Sequence, residues 1–305
     1  MDFINALPGA VAQGLIWGIM AIGLYITYKI LDIADLTVDG TICTGGAVCV
    51  MLIINGVNPW IAILCAALAG ALAGIITGLF HVFMGIPSIL SGILTQLILW
   101  SVNLKIMGQA QQSLNRADPK LLSMMNTIPA IMVGVAFCAA IIVILWLFFY
   151  TEVGLTLKST GDNESMSKAQ GVNVGFNKVL GLAISNALVA LSGALLAQYQ
   201  GYADISMGRG AIVIGLAAII IGLSVSLKIK PNFVVSLIGV TGGAIAYYIV
   251  YSFVIWLGLD TDLLKMLSAL VVAIFLAFPY WKNKYLSKSK KYLQEDPVNG
   301  GSENA

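Results

Sequence analysis

The chain has 305 residues, 59% of them hydrophobic and 10% charged, with a formal net charge of +2. Soluble domains run at about 25% charged residues, so this composition excludes an ordinary soluble protein; part of the solvent must be lipid. The small net charge gives no reason to expect nucleic acid. Cys43, Cys49, Cys65 and Cys138 have no ligand spacing and His81 is the only histidine, so the cysteines read as reduced core thiols and no metal site is expected.

A helix needs about 20 apolar residues to cross the hydrocarbon layer. Candidate spans follow in order at Ala6–Tyr28, Gly40–Ile54, Pro59–Phe83, Pro87–Lys105, Thr127–Tyr150, Val179–Gln198, Gly210–Val225, Pro231–Leu257 and Leu263–Tyr280. The predicted fold is all-α, a polytopic membrane protein of about 8–9 transmembrane helices. The second and seventh spans are short. Residues 1–281 form one transmembrane domain with a long loop at 151–178, and 282–305 form a polar tail expected to be disordered. No basic residue precedes the first apolar run, which therefore reads as a retained span rather than a removed signal peptide.

Alternating spans with a cytoplasmic C-terminus place Lys29, Lys158, Lys168, Lys178, Lys228, Lys230, Lys282, Lys284, Lys288, Lys290 and Lys291 inside. Lys105, Arg116, Lys120, Arg209 and Lys265 fall outside. This bias satisfies the positive-inside rule. None of the fourteen acidic residues falls mid-span on these boundaries, which speaks against a proton relay. No Gly-Lys pair occurs, so the chain has no P-loop, and any ATP is bound by another chain.

Two segments resemble each other. Ala34-Asp35-Leu36-Thr37-Val38 precedes the short second span, and Ala203-Asp204-Ile205-Ser206-Met207 precedes the short seventh. Each leads into a glycine-rich start, and each following span opens with a proline, Pro59 or Pro231, with Gly70 or Gly242 eleven residues on. On this alternating topology the first copy starts inside and the second outside, an inverted repeat with short broken helices near a substrate path. A helix that begins inside the membrane offers free N–H groups and a positive dipole end to an anionic group. Gly70, Gly74 and Gly78, with Gly239 and Gly243, have the spacing that lets helices approach closely.

The loop at 151–178 carries a second signal. Asp162 or Asn163 can cap a short helix, Glu164 suits its dipole, and Gly171 can end it. Met166, Ala169 and Gln170 share one face. Two turns of helix are not stable alone in water, so this helix needs a partner surface. The run Gly154-Leu155, Lys158, Gly161-Asp162-Asn163, Ala169, Gly171-Val172-Asn173-Val174 resembles the coupling loop of the branched-chain amino acid type permease family of ABC importers. The segment Ala203-Asp204, Gly208, Ile212 to Ala217 and Ile221-Gly222 is similar to a narrower tryptophan- or tyrosine-type branch. In that branch an acidic residue commonly follows the Ile-Ile-Gly, whereas Leu223 follows Gly222 here.

The resemblance covers Ala6 to about Tyr280. It implies an amino-acid permease subunit in a bacterial plasma membrane, working as a homodimer with ABC ATPase subunits that bind ATP and Mg and with a substrate-binding lipoprotein. Gly154, Lys158, Gly161, Asp162, Asn163, Glu164, Met166, Ala169 and Gly171 would then form the ATPase-coupling site, and catalysis would belong to the partner. Polar groups beside spans are the candidate substrate path: Thr37, Asp39, Thr41, Thr95, Gln96, Asn186, Gln198, Tyr199 and Ser206. Trp17, Trp60, Trp100 and Trp281 read as interface anchors. The alternative is an ion-coupled carrier of a small zwitterion. An intramembrane enzyme ranks last, because no nucleophile and base pair falls within the spans.

Overall fold

The computed structural model describes residues 3–115, 119–124, 126–229 and 232–256, and beyond these the isolated positions Met266, Leu270, Ala273 and Ala277. The ninth expected span, Trp281 and the polar tail lie outside the described residues apart from those four positions. Eight of the predicted spans appear as helices: α1 (Phe3–Tyr25), α2 (Val38–Ile54), α3 (Pro59–Val82), α4 (Ser88–Met107), α5 (Thr127–Phe149), α8 (Val174–Gln200), α9 (Ala211–Ile229) and α10 (Phe233–Trp256). Six are long and apolar enough to cross a membrane, whereas α2 and the apolar part of α9 are shorter. The protein is an all-α, polytopic membrane protein. A small ribbon not foreseen in the sequence joins β1 (Gln111–Ser113) antiparallel to β2 (Tyr202–Asp204) at one end of the bundle.

Local chemistry sets the helix ends. Asn58 accepts a hydrogen bond from the Trp60 N–H at 3.0 Å, with Pro59 in the first turn, the usual N-terminal arrangement. Gly108 and Gly201 end α4 and α8 in the left-handed region, where glycine carries no Cβ penalty. α1 widens at its end into a π-helical turn, Ile26–Ile30, closed by the Leu31 N–H on the Ile26 carbonyl.

The bundle is built around α1 and α8, which run antiparallel. Ser192 Oγ donates to the Ile16 carbonyl and Ser185 Oγ to the Gly23 carbonyl, each at 2.7 Å. Partners are exchanged around this axis: α8 carries α2 and α3, whereas α1 carries α9 and α10. Each half of the repeat thus packs its later helices on the other half's first helix. Gly70, Gly74 and Gly78 lie directly against Asn186, Leu182 and Val179 of α8, and Gly239 and Gly243 against Gly222 and Ala218 of α9. A side chain at these glycines would hold the helices apart. The correspondence stops at Gly242, which faces open space while Gly70 is closely packed.

α1 and α8 are buried, whereas α3, α4 and α5 expose Leu64, Leu68, Leu72, Leu97, Met132, Ile144 and Leu147, the face expected toward lipid. Trp17 departs from the anchor role: it is 7% exposed and packs on Tyr248. Trp100 lies beneath Arg209. Trp60 is exposed and stacks on Phe137.

Candidate functional site

Two regions hold the expected functional residues, one at each end of a connected path. The first is the 151–178 loop, which is two helices: α6 (Glu152–Asp162) and α7 (Glu164–Ala169). α6 was not foreseen; the sequence pointed only to the short helix that starts at Asp162 or Asn163 and ends before Gly171. Gly154 and Gly161 are where the chain packs backbone to backbone, on Phe148 and Phe149 and on Ile30 and Leu31. Leu157 is fully buried, and Thr160 accepts from Asn177 Nδ2 at 2.9 Å.

α7 sits on this base. Asn163 caps it by accepting from the Met166 N–H at 3.0 Å, and Gly171 follows it with a positive φ of 80°. Ser167 Oγ donates to Ser159 Oγ. Glu164 bridges Lys168 and Lys178, each at 2.8 Å. Those two ammonium groups hold its carboxyl at about 2, below its ordinary value of 4.5. Met166 is 59% exposed, and Ala169 and Gln170 are exposed beside it. Lys158 and Asp162 are exposed and line a separate cavity with Lys29.

The second region lies where the short helices begin. After Ile30 the chain turns back into the bundle as a non-helical stretch, and α2 starts at Val38 beside the middle of α8. Asp35, 1% exposed, accepts from Asn186 Nδ2 at 2.7 Å and from the Thr37 N–H at 2.9 Å. Thr41 Oγ1 donates to Asn186 Oδ1 at 2.7 Å, and the Thr37 and Thr77 hydroxyls meet at 2.8 Å. An acidic group therefore does lie inside the bundle, contrary to the sequence expectation. Hydropathy placed Asp35 in a connector because the connector itself folds inward. The repeat reproduces this turn: Asp204 Oδ1 accepts from the Ser206 N–H at 2.7 Å and from the Ser206 hydroxyl.

The two helix starts meet at Asp39. Its carboxylate oxygens accept from the N–H groups of Gly210 and Ile212, each at 3.1 Å. A side chain in the first turn of α2 thus caps α9 across the bundle, satisfying donors that α9 cannot. Gly208 fits because its Cα lies against the Asp39 backbone.

Beside this junction is a cavity of about 320 Å³, lined by Asp39, Gly40, Cys43, Gln96, Leu97, Trp100, Asn103, Ile205 and Arg209. Arg209 lies over the Trp100 ring, 4.9 Å from its centroid, a cation–π arrangement. Asn103 donates weakly to the Gly40 carbonyl at 3.4 Å, and its buried Oδ1 has no partner among the described residues. The cavity is near the end of the bundle that carries the β1–β2 ribbon, opposite α6 and α7.

The structure brings Asp39 and Gln96 to this cavity, with Ser206 one residue from Ile205 in its wall. Thr37, Thr41 and Asn186 belong to the buried network around Asp35. Thr95 is buried and bonds back to the Ser91 carbonyl. Gln198 ties the Leu121 N–H and Cys49 together, and Tyr199 is packed near Gly9. Trp100, Asn103 and Arg209 were not singled out for the path. The interface role given to Trp100 and the topological role given to Arg209 hid their proximity, which only the fold creates.

The branched-chain amino acid transport system / permease component family matches residues 7–277. A tyrosine transport system permease protein of Clostridioides difficile (strain R20291) is 39% identical over 274 residues, covering 90% of this chain and 91% of that protein. An uncharacterized protein of Rickettsia prowazekii (strain Madrid E) is 35% identical over 280 residues, covering 90% and 98%. Among solved structures, PsaBC from Streptococcus pneumoniae in complex with Fab aligns with a TM-score of 0.38 at 20% identity, covering 83% of this chain and 91% of that one. Matched along nearly its whole length, the chain belongs to the branched-chain amino acid permease family, in its tyrosine-type branch.

Proposed function

We propose that this chain is the membrane-spanning subunit of an ATP-driven importer in a bacterial inner membrane, with a cytoplasmic C-terminus. Its substrate is an amino acid, aromatic ahead of branched-chain, as the relative described as a tyrosine permease suggests. ATP and Mg are bound by partner ABC ATPase subunits, and a substrate-binding lipoprotein delivers the cargo.

The observation that carries this reading is the α7 knob. Six residues of helix do not hold together by themselves, yet α7 turns Met166, Ala169 and Gln170 outward. It rests on α6, which packs on Ile30 and Leu31. The chain from Leu31 leads directly to Asp35, Thr37 and the start of α2. A displacement of α7 by an ATPase would therefore reach the junction of α2 and α9 through packed backbone. The α1–α8 contact is filled by fully buried side chains, which favours a route on the flank beside α2, α4 and α9. A second copy of the chain would close that route, so the reading includes a homodimer.

The buried Asp35 favours a second reading, an ion-coupled carrier, since intramembrane acids often serve as relays. Uptake of radiolabelled L-tyrosine into proteoliposomes holding the complete complex separates the two. The importer reading predicts uptake that requires ATP and survives ionophores. Uptake that runs without ATP and collapses with the ion gradient contradicts it.

A further inference from the structure

We infer that the cavity between α2, α4 and the start of α9 is a clamp for the zwitterionic head of an α-amino acid with an apolar side chain. The inference rests on the amino-acid permease reading and assigns the recognition chemistry to particular groups.

An amino-acid head carries three ammonium hydrogens and a carboxylate, and it needs acceptors and a cation around one small space. The cavity has both. Asn103, buried at 1% exposure, belongs to its lining, and its Oδ1 is an acceptor with no partner among the described residues. A buried amide oxygen left without a donor is unfavourable, so a ligand donor there is favourable. Asp39 lies in the same wall. Its oxygens each accept one backbone N–H, and a carboxylate has further lone pairs for an ammonium. Arg209 belongs to the same lining; it makes no ion pair among the described residues and lies over the Trp100 ring. A guanidinium held in place offers a paired set of donors to a carboxylate. Leu97, Trp100 and Ile205 supply the apolar wall, and 320 Å³ suits a ligand of amino-acid size. The assignment is therefore ammonium to Asn103 Oδ1 and Asp39, carboxylate to Arg209, and side chain to the apolar wall.

The test uses the complete complex in proteoliposomes, with radiolabelled L-tyrosine and L-leucine as substrates. Tyramine, which lacks the carboxylate, and 3-(4-hydroxyphenyl)propionate, which lacks the ammonium, are the competitors. Arg209→Gln is expected to raise the KM about tenfold or more and to abolish the preference for tyrosine over tyramine. Asn103→Leu is expected to raise it similarly and to lose the preference over the propionate, whereas Asn103→Asp, which keeps an oxygen acceptor, retains it. Thermal midpoints of the purified variants identify any that fail to fold, and the Asn103→Asp and Asn103→Leu pair then decides. If the wild-type complex transports and the folded variants keep its KM and competitor ranking within about twofold, this assignment is overturned and the transport reading survives. If the wild-type complex moves neither amino acid, both are overturned.

Discussion

At the residue scale, the most consequential side chain is Asp35. A buried acid is tolerated only when its acceptors are used, and Asn186 and the Thr37 N–H use them. Asn186→Ala removes the Asn186 donor and leaves a buried oxygen unpaired, a loss of about 1–3 kcal/mol. The variant is expected to show a clearly lower thermal midpoint in detergent, and an unchanged midpoint contradicts the network's structural role. Glu164 makes a prediction in pH. Its carboxyl titrates at about 2 in the folded protein against an ordinary 4.5, so its hold on Lys178 is fully present above about pH 4.5. That contribution is lost as pH falls toward 2, which is the sign expected for a depressed acid. Glu164 is partly exposed, so the effect is local. An infrared or NMR titration of Glu164 is expected to find it still ionised at pH 3.5, and half-protonation near pH 4.5 contradicts the pair. The Asp35 and Asp204 turns were visible in the sequence as a five-residue likeness. Asp35's depth was not, because it depends on a connector folding into the bundle rather than on local hydropathy.

At the element scale, close helix approach organises the bundle. The spacing of Gly70, Gly74 and Gly78 was legible as a packing pattern, and α3 uses it against α8. Gly242 has the matching place after Pro231 but faces open space. The two glycines therefore make a controlled comparison. Gly74→Leu is expected to prevent stable assembly, since its side chain would meet the Leu182 and Ala183 backbone, whereas Gly242→Leu is expected to be tolerated. Expression yield and monodispersity measure both, and equal behaviour contradicts the packing account. The same logic corrects the reading of the 151–178 loop. Gly154 and Gly161 look like helix breakers in sequence, yet they lie within α6 because a small residue lets that helix touch its neighbours. Propensity is a weak prior where tertiary contact decides. Variants meant to probe partner docking should accordingly alter Met166 or Ala169, which are exposed, and leave Gly161 intact.

At the scale of the whole molecule, the exchanged packing around α1 and α8 brings together starts of helices that are far apart in sequence. Asp39 reaches the N-terminus of α9, and the path from α7 through α6 and Leu31 ends at the same junction. The long spans and their order were legible because apolar runs of membrane length are unambiguous. The cavity was not, because Trp100, Asn103 and Arg209 acquire a common purpose only after α4 packs beside α2. The central claim is that motion enters the chain through α7. The most direct test is co-purification of the tagged chain with the ABC ATPase co-expressed from neighbouring genes, comparing the wild type with Met166→Asp and Ala169→Arg. The account predicts that the ATPase accompanies the wild type and is lost from both variants while their thermal midpoints stay within a few degrees. An ATPase retained by both folded variants, or a wild-type chain that purifies alone and transports without one, would contradict it.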